Sequence, residues 1–274
     1  MKLRMALVLV VLASSLGRAQ SVQEKAWSVL EAGAKEKSTE KRTQAVRAMG
    51  VIVRDAKAAA LAQAALDDTQ PAVREAAAVA LGHMRARSAI PALRKALQDK
   101  ETNVVLAAAD ALTEMNDNAA YQLYYALLTG ERKSSRGLLV DQAKILTDRK
   151  KIAELGFEQG LGFVPFAGFG YTALRAVTKD DVSPVRAEAA EALADDPDPR
   201  SGAALVQAAS DKSWVVRVSA LRAIAKRADA KLLPQVEGAL NDDKDAVQYT
   251  AAAAIIRLSA TATRAAPHQP ATHK

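Results

Sequence analysis

The chain has no cysteine, only three histidines, and aromatic residues at 4% of its 274 positions. Without thiols there is no disulfide, no thiolate nucleophile and no sulfur-bound metal. With only His83, His268 and His273 as imidazoles, two of them in the terminal stretch, few nitrogen ligands are offered, and no metal or cofactor is expected. Gly-x-Ser-x-Gly, phosphate-loop and zinc spacings are also missing. What remains is rich in alanine, leucine and valine. Half the residues are hydrophobic and a quarter charged, a globular composition, and side chains this small suit closely packed helices.

The opening MKLRMALVLVVLASSLGRAQ places Lys2 and Arg4 before an apolar run from Met5 to about Leu16, then small residues ending at Ala19. This reads as a secretory signal peptide over 1–19, cut after Ala19, which makes the mature chain periplasmic or secreted. Its removal takes three basic residues and no acid, so the formal charge falls from +7 to +4. A nucleic-acid binder would show a strong basic stripe, so no nucleic-acid partner is expected.

Five segments align without gaps: PAVREAAAVALG (71–82), TNVVLAAADALT (102–113), SPVRAEAAEALA (183–194), WVVRVSALRAIA (214–225) and DAVQYTAAAAII (245–256). Val73, Val104, Val185, Val216 and Val247 anchor them. Four residues on stands Ala77, Ala108, Ala189, Ala220 or Ala251, and eight on stands Leu81, Leu112, Leu193, Ile224 or Ile255. That spacing predicts one helical face with room for a close neighbour. A second apolar helix follows in each unit (89–97, 201–209, 232–240), then an acidic turn. Proline sits where these helices should begin, and Ser183 before Pro184 reads as an N-cap. A degenerate earlier unit occupies 40–68, and the helix around Trp27 and Leu30 caps that end. The units predict an all-α solenoid of stacked helical hairpins over 20–259, with a disordered tail at 260–274.

At DDTQPAVREAAAVALGHMRARSAIPALRKALQD (67–99) the chain resembles the short HEAT repeats of phycobilisome-lyase-like proteins, and the resemblance extends over roughly 40–258. It implies a HEAT/armadillo-like superhelix and a non-enzymatic scaffold for a protein or peptide partner. Two activities are also known on this fold. The di-iron site of deoxyhypusine hydroxylases depends on repeated His-Glu pairs, which this chain lacks. A phycobilin-lyase-like, chromophore-handling role is the alternative, although it needs a cytoplasmic partner and chromophore supply that a signal peptide argues against.

Arg74, Arg186 and Arg217 follow the anchor valines, and Asp99, Asp211 and Asp242 lie in the acidic turns; together they read as a structural ladder between units. Asp195, Asp196 and Asp198 offer too few oxygens for calcium and read as a solvated loop. The slot at about 130–180 is enlarged, and its stretch GFEQGLGFVPFAGFGY (156–171) holds all four phenylalanines. Tyr121, Tyr124 and Tyr125 precede it on a helix. These tyrosines, with Phe157, Phe163, Phe166, Phe169 and Tyr171, are the candidate partner contact. Packing into the solenoid, an exposed binding hairpin and docking of 157–171 on a membrane surface beside basic residues stay open for this stretch.

Overall fold

The computed structural model describes residues 22–121, 124 and 182–265. The described residues are helical throughout, with short connections. The helices are α1 (22–34), α2 (Thr39–Ala48), α3 (Ala56–Ala64), α4 (Pro71–Met84), α5 (Ile90–Ala96), α6 (Thr102–Glu114), α7 (Ser183–Ala192), α8 (Pro199–Ala208), α9 (Trp214–Arg227), α10 (Leu233–Val236) and α11 (Asp245–Ala265). Helical content follows from the alanine-rich composition and from proline in the first turn of α4, α5, α7, α8 and α10, where its missing N–H costs nothing. Asp55, Asp198 and Asp229 cap the helices or turns that follow them. Ser183 is not a cap. It is the first residue of α7, after Val182, which has no side chain able to bond the free N–H groups.

The valine-anchored helices form one layer, and the shorter second helices pack beside it. Val73, Val104, Val216 and Val247 are at most 1% exposed, and the alanines four residues on are fully buried. Backbones approach closely through this stripe: a Cβ on Gly82 of α4 would lie 3.0 Å from Ala111 Cα of α6. Hydrophobic burial and dispersion in this layer supply the main stabilisation.

The order of the layer in space differs from the order in the chain. α7 packs on α9 and α9 on α11; α11 then packs on α2, α2 on α4 and α4 on α6. The carboxy-terminal helix therefore lies in the middle of the array, with the amino-terminal unit as its neighbour. From Tyr249 to Ile256 every residue of α11 is buried, which a helix covered on one side only would not show. Lys41 of α2 meets Asp245 of α11 at 3.3 Å, and Lys25 of α1 donates to Asn241 Oδ1. α1 thus corrects the expectation of a terminal cap. It packs against α11 through Gly33 and Tyr249, where the second helix of the last unit would be expected. α11 itself continues to Ala265, beyond the expected boundary at 259, because its last turns are helical.

The array consequently has its two outer described helices, α6 and α7, at mid-chain. On α7, Val185 is 42% exposed and Ala189 is exposed as well, as is Val182 just before the helix at 52%. The columns of Val185 and Ala189 are buried in α4, α6, α9 and α11.

Candidate functional site

Along one edge of the layer, arginines tie each unit to the next. Arg74 donates through Nε and Nη2 to both oxygens of Asp99 at 2.7 and 2.8 Å, while its Nη1 donates to the carbonyls of Asp68 and Thr69. Arg217 makes a related rung, its Nη2 donating to Asp242 Oδ1 and Asp243 Oδ1 and its Nη1 to the carbonyls of Asp211 and Lys212. Arg186 bonds Asp211. A further rung, absent from the sequence reading, joins Arg42 to Asp68 at 2.9 and 3.0 Å. Each aspartate also accepts the backbone N–H two residues later, as Asp99 does from Glu101. The Arg74 bond, with backbone help, holds Asp99 below the usual carboxylate range despite its partial burial. Both oxygens of Asp68, Asp99 and Asp211 are engaged, so the edge is structural.

Other charges stand toward the carboxy-terminal ends of the layer helices, in separate sets. The Met49–Val51 turn after α2 touches α4, α9 and α11, so helices from both halves of the chain meet around it. Arg47 and Arg54 come from this turn and its flanks, His83 and Arg85 from the end of α4, Arg222 from α9, and Arg257 and Arg264 from α11. A Cβ on Gly50 would sit 3.5 Å from His83 Nδ1. Arg222 Nε stands 3.9 Å from Glu191 of α7.

The electrostatics of these sets differ from those of the rungs. Burial lowers the pKa of Arg47, Glu75 opposes the shift, and Arg222 adds to it. Burial likewise lowers Arg257, with Arg264 and Arg54 adding repulsion. His83 keeps one side open to solvent, yet its charged form is disfavoured, first by surrounding protein and then by Arg222 and Arg47. The carboxylates Glu75 and Glu191 are pushed up by burial, against the pull of nearby arginines. In Arg42, Arg74 and Arg94 the shift runs upward, each led by a bond to aspartate.

Two of the tyrosines in the expected contact are described, and they differ in exposure. Tyr121 is 53% exposed, whereas Tyr124 is half-buried against the core and its hydroxyl donates to Asp110 Oδ1 at 2.6 Å. Burial and this contact raise the Tyr124 phenol above its ordinary pKa. Tyr125, Phe157, Phe163, Phe166, Phe169 and Tyr171 lie outside the described residues, as does the 130–180 slot. The three aspartates of the 195–198 turn diverge: Asp195 pairs with Lys226, Asp196 accepts from Ser201, and Asp198 pairs with Arg200. Among the described residues no group of three potential metal-binding side chains exists, and no helix is long and apolar enough to cross a membrane.

Stacked helical hairpins with a repeated valine–alanine–leucine face and an inter-unit arginine ladder define an α-solenoid. The chain belongs to the HEAT-repeat family, whose match covers residues 58–137 and 171–261, well over half of its length. No curated protein matches it. Among solved structures it is similar to the complex of CpcE and CpcF of phycocyanin lyase from Nostoc sp. PCC7120, at 22% identity over 76% of this chain and 79% of that one, with a TM-score of 0.34. It is also similar to human deoxyhypusine hydroxylase in complex with glycerol, at 17% identity over 89% and 99% with a TM-score of 0.34. A designed armadillo repeat protein shares 18% identity over 86% and 99%, with a TM-score of 0.28. At such low TM-scores the assignment rests on the repeats themselves.

Proposed function

We propose that the protein is an exported, non-enzymatic scaffold that offers the surface of its HEAT array to a protein or peptide partner. The observation that carries this reading is the placement of exposed apolar side chains. Tyr121, Val182 and Val185 are the large hydrophobic residues exposed among the described ones; Tyr121 follows α6, and Val182 and Val185 lie at the start of α7, the two outer described helices of the layer. Large apolar groups exposed at the ends of an otherwise well-packed described array suit association. Alanine packing and arginine rungs hold that array rigid, which limits the entropy lost on binding.

Crosslinking capture with the full-length chain in its own cell envelope tests the reading. Wild type should capture a discrete partner, and Tyr121→Ser with Val185→Ser should lose it while keeping its helical circular dichroism. Failure of wild type to capture any protein would remove the scaffold reading. Export is checked separately by amino-terminal sequencing of the mature protein, which should begin at Gln20.

A further inference from the structure

Junctions in the layer are directional. A Cβ on Gly50 would lie 3.4 Å from Ala80 Cα where the unit of α2 meets α4, and one on Gly82 would lie 3.0 Å from Ala111 Cα where α4 meets α6. Gly50 and Gly82 stand nine residues after the anchor positions of their units, whereas Ala80 and Ala111 stand seven after theirs. Each helix thus turns one face to the helix before it in the layer and a different face to the helix after it. The position nine after the anchor is buried in the units of α2, α4, α7, α9 and α11, but in α6 it is Thr113, which is half-buried. The position seven after is buried in α4, α6, α9 and α11 and half-buried in α2, but in α7 it is Ala192, which is exposed. Val185 and Ala189 are exposed on the same side of α7, at helical spacings of four and three. Among the described residues, α6 and α7 therefore leave free the two complementary halves of one junction.

We propose that a second copy of the chain joins these two ends, α7 of one copy seating on α6 of the next as α6 itself seats on α4. The inference rests on the scaffold reading and names the partner that the exposed ends accept. A partner for α7 needs a face cut to the register of Val185, Ala189 and Ala192, and α6 of a second copy carries that face, with Thr113 where Gly82 stands in α4. Charge agrees with the fit. Val105 occupies the arginine column of α6 and is half-buried, so this end holds no guanidinium that would demand a carboxylate across the junction. Pairing α7 with α7 would join two copies of one face, which no junction between α2, α4 and α6 does. Because the two faces differ, the contact is heterologous, and repeating it builds an open row or a ring rather than a simple two-fold dimer. Burial of Val185 and the apolar end of α6 supplies the drive.

The test is sedimentation velocity of the full chain over roughly a hundredfold range of concentration. Wild type should pass from monomer to larger species as concentration rises. Val185→Glu with Ala192→Glu on α7, and separately Thr113→Glu on α6, should each sediment as monomers, because each sets an unpaired charge in the junction. Mixed in equal amounts, the two variants should form a dimer and nothing larger, since each supplies the intact end that the other lacks. That mixed dimer also shows that both variants are folded. Ala203→Glu, at an exposed alanine of α8, should associate within about twofold of wild type. A wild type that stays monomeric throughout would overturn the proposal, whether α7 is bare or covered by residues 122–181 of its own chain. So would association that survives in either single-end variant, or two variants that fail to pair. If wild type is monomeric yet crosslinks to a different protein, this inference falls and the scaffold reading stands; if it is monomeric and crosslinks to nothing, both fall.

Discussion

Tyr249 of the carboxy-terminal helix lies against Gly33 of the amino-terminal helix so closely that a Cβ on Gly33 would be 2.4 Å from Tyr249 Cε1 and 2.8 Å from Ala45 Cβ. Only glycine fits there. Gly33→Ala is expected to destabilise the protein by about 1–3 kcal/mol, as overpacking of a tight interior does. Tyr249→Leu should recover part of that loss in the double variant, and urea unfolding of the two singles and the double reads this coupling. Strictly additive losses would mean that the two helices do not touch.

The rungs predict a graded response to charge removal. Arg74 and Asp99 are 9% and 13% exposed, so Asp99→Ala should cost about 2–4 kcal/mol, below the full figure for a buried pair because both side chains keep some water contact. Lys95 and Asp67, at 78% and 74%, form a surface pair whose loss should not register in the same unfolding measurement.

Acid should expose the rungs through their pKa values. Asp68 and Asp99 have folded values below the ordinary 3.8, so the stability they lend is complete above the unfolded value and is lost as pH falls through the folded one. Buried Glu75 behaves oppositely. Its folded value lies above 4.5, so its contribution is present below that pH and is lost as pH rises through the folded value. Urea midpoints followed from pH 4 to neutrality should therefore fall less steeply in Glu75→Gln than in wild type, while the decline below pH 4 should persist.

Tyr121 and Tyr124 should separate stability from recognition. Tyr124→Phe removes a hydroxyl bonded to Asp110 and should lower stability by about 1 kcal/mol. Tyr121→Ser, at an exposed position, should leave the unfolding midpoint unchanged and reduce partner capture.

Much of the layer was legible because its chemistry repeats. Valine, alanine and leucine at four-residue spacing can pack only as one face of a helix, and the structure buries that face in α4, α6, α9 and α11. The Arg42 rung was readable in principle, 32 residues before Arg74, but its unit has Lys41 where the others have valine, and so it escaped the alignment. The reason for that lysine is spatial: it meets Asp245 across the junction with α11. Val105 stands in the arginine column of α6, and Gly130 stands 31 residues after Asp99, so both halves of one rung are absent together. The closed arrangement left one trace, the run TAAAAII at 250–256, apolar on every side of α11. A terminal unit with one open side would have carried polar residues there. The charges near the Met49–Val51 turn also follow the repeat: Arg47 and Arg222 both stand six residues after the anchor position of their units, and His83 and Arg257 both stand ten after theirs.

The seating of α11 on α2 is the claim on which the order of the layer depends, and Lys41 and Asp245 report it directly. Their side chains stand 3.3 Å apart and are 40% and 41% exposed, within reach of a zero-length carbodiimide reagent. Peptide mapping of the monomer fraction should find Lys41 joined to Asp245, alongside Lys57 joined to Glu31, a pair 2.6 Å apart within the amino-terminal region that serves as the internal standard. Recovery of the Lys57–Glu31 link without the Lys41–Asp245 link, or of the latter only in dimers, would contradict the seating of α11 on α2 within one chain.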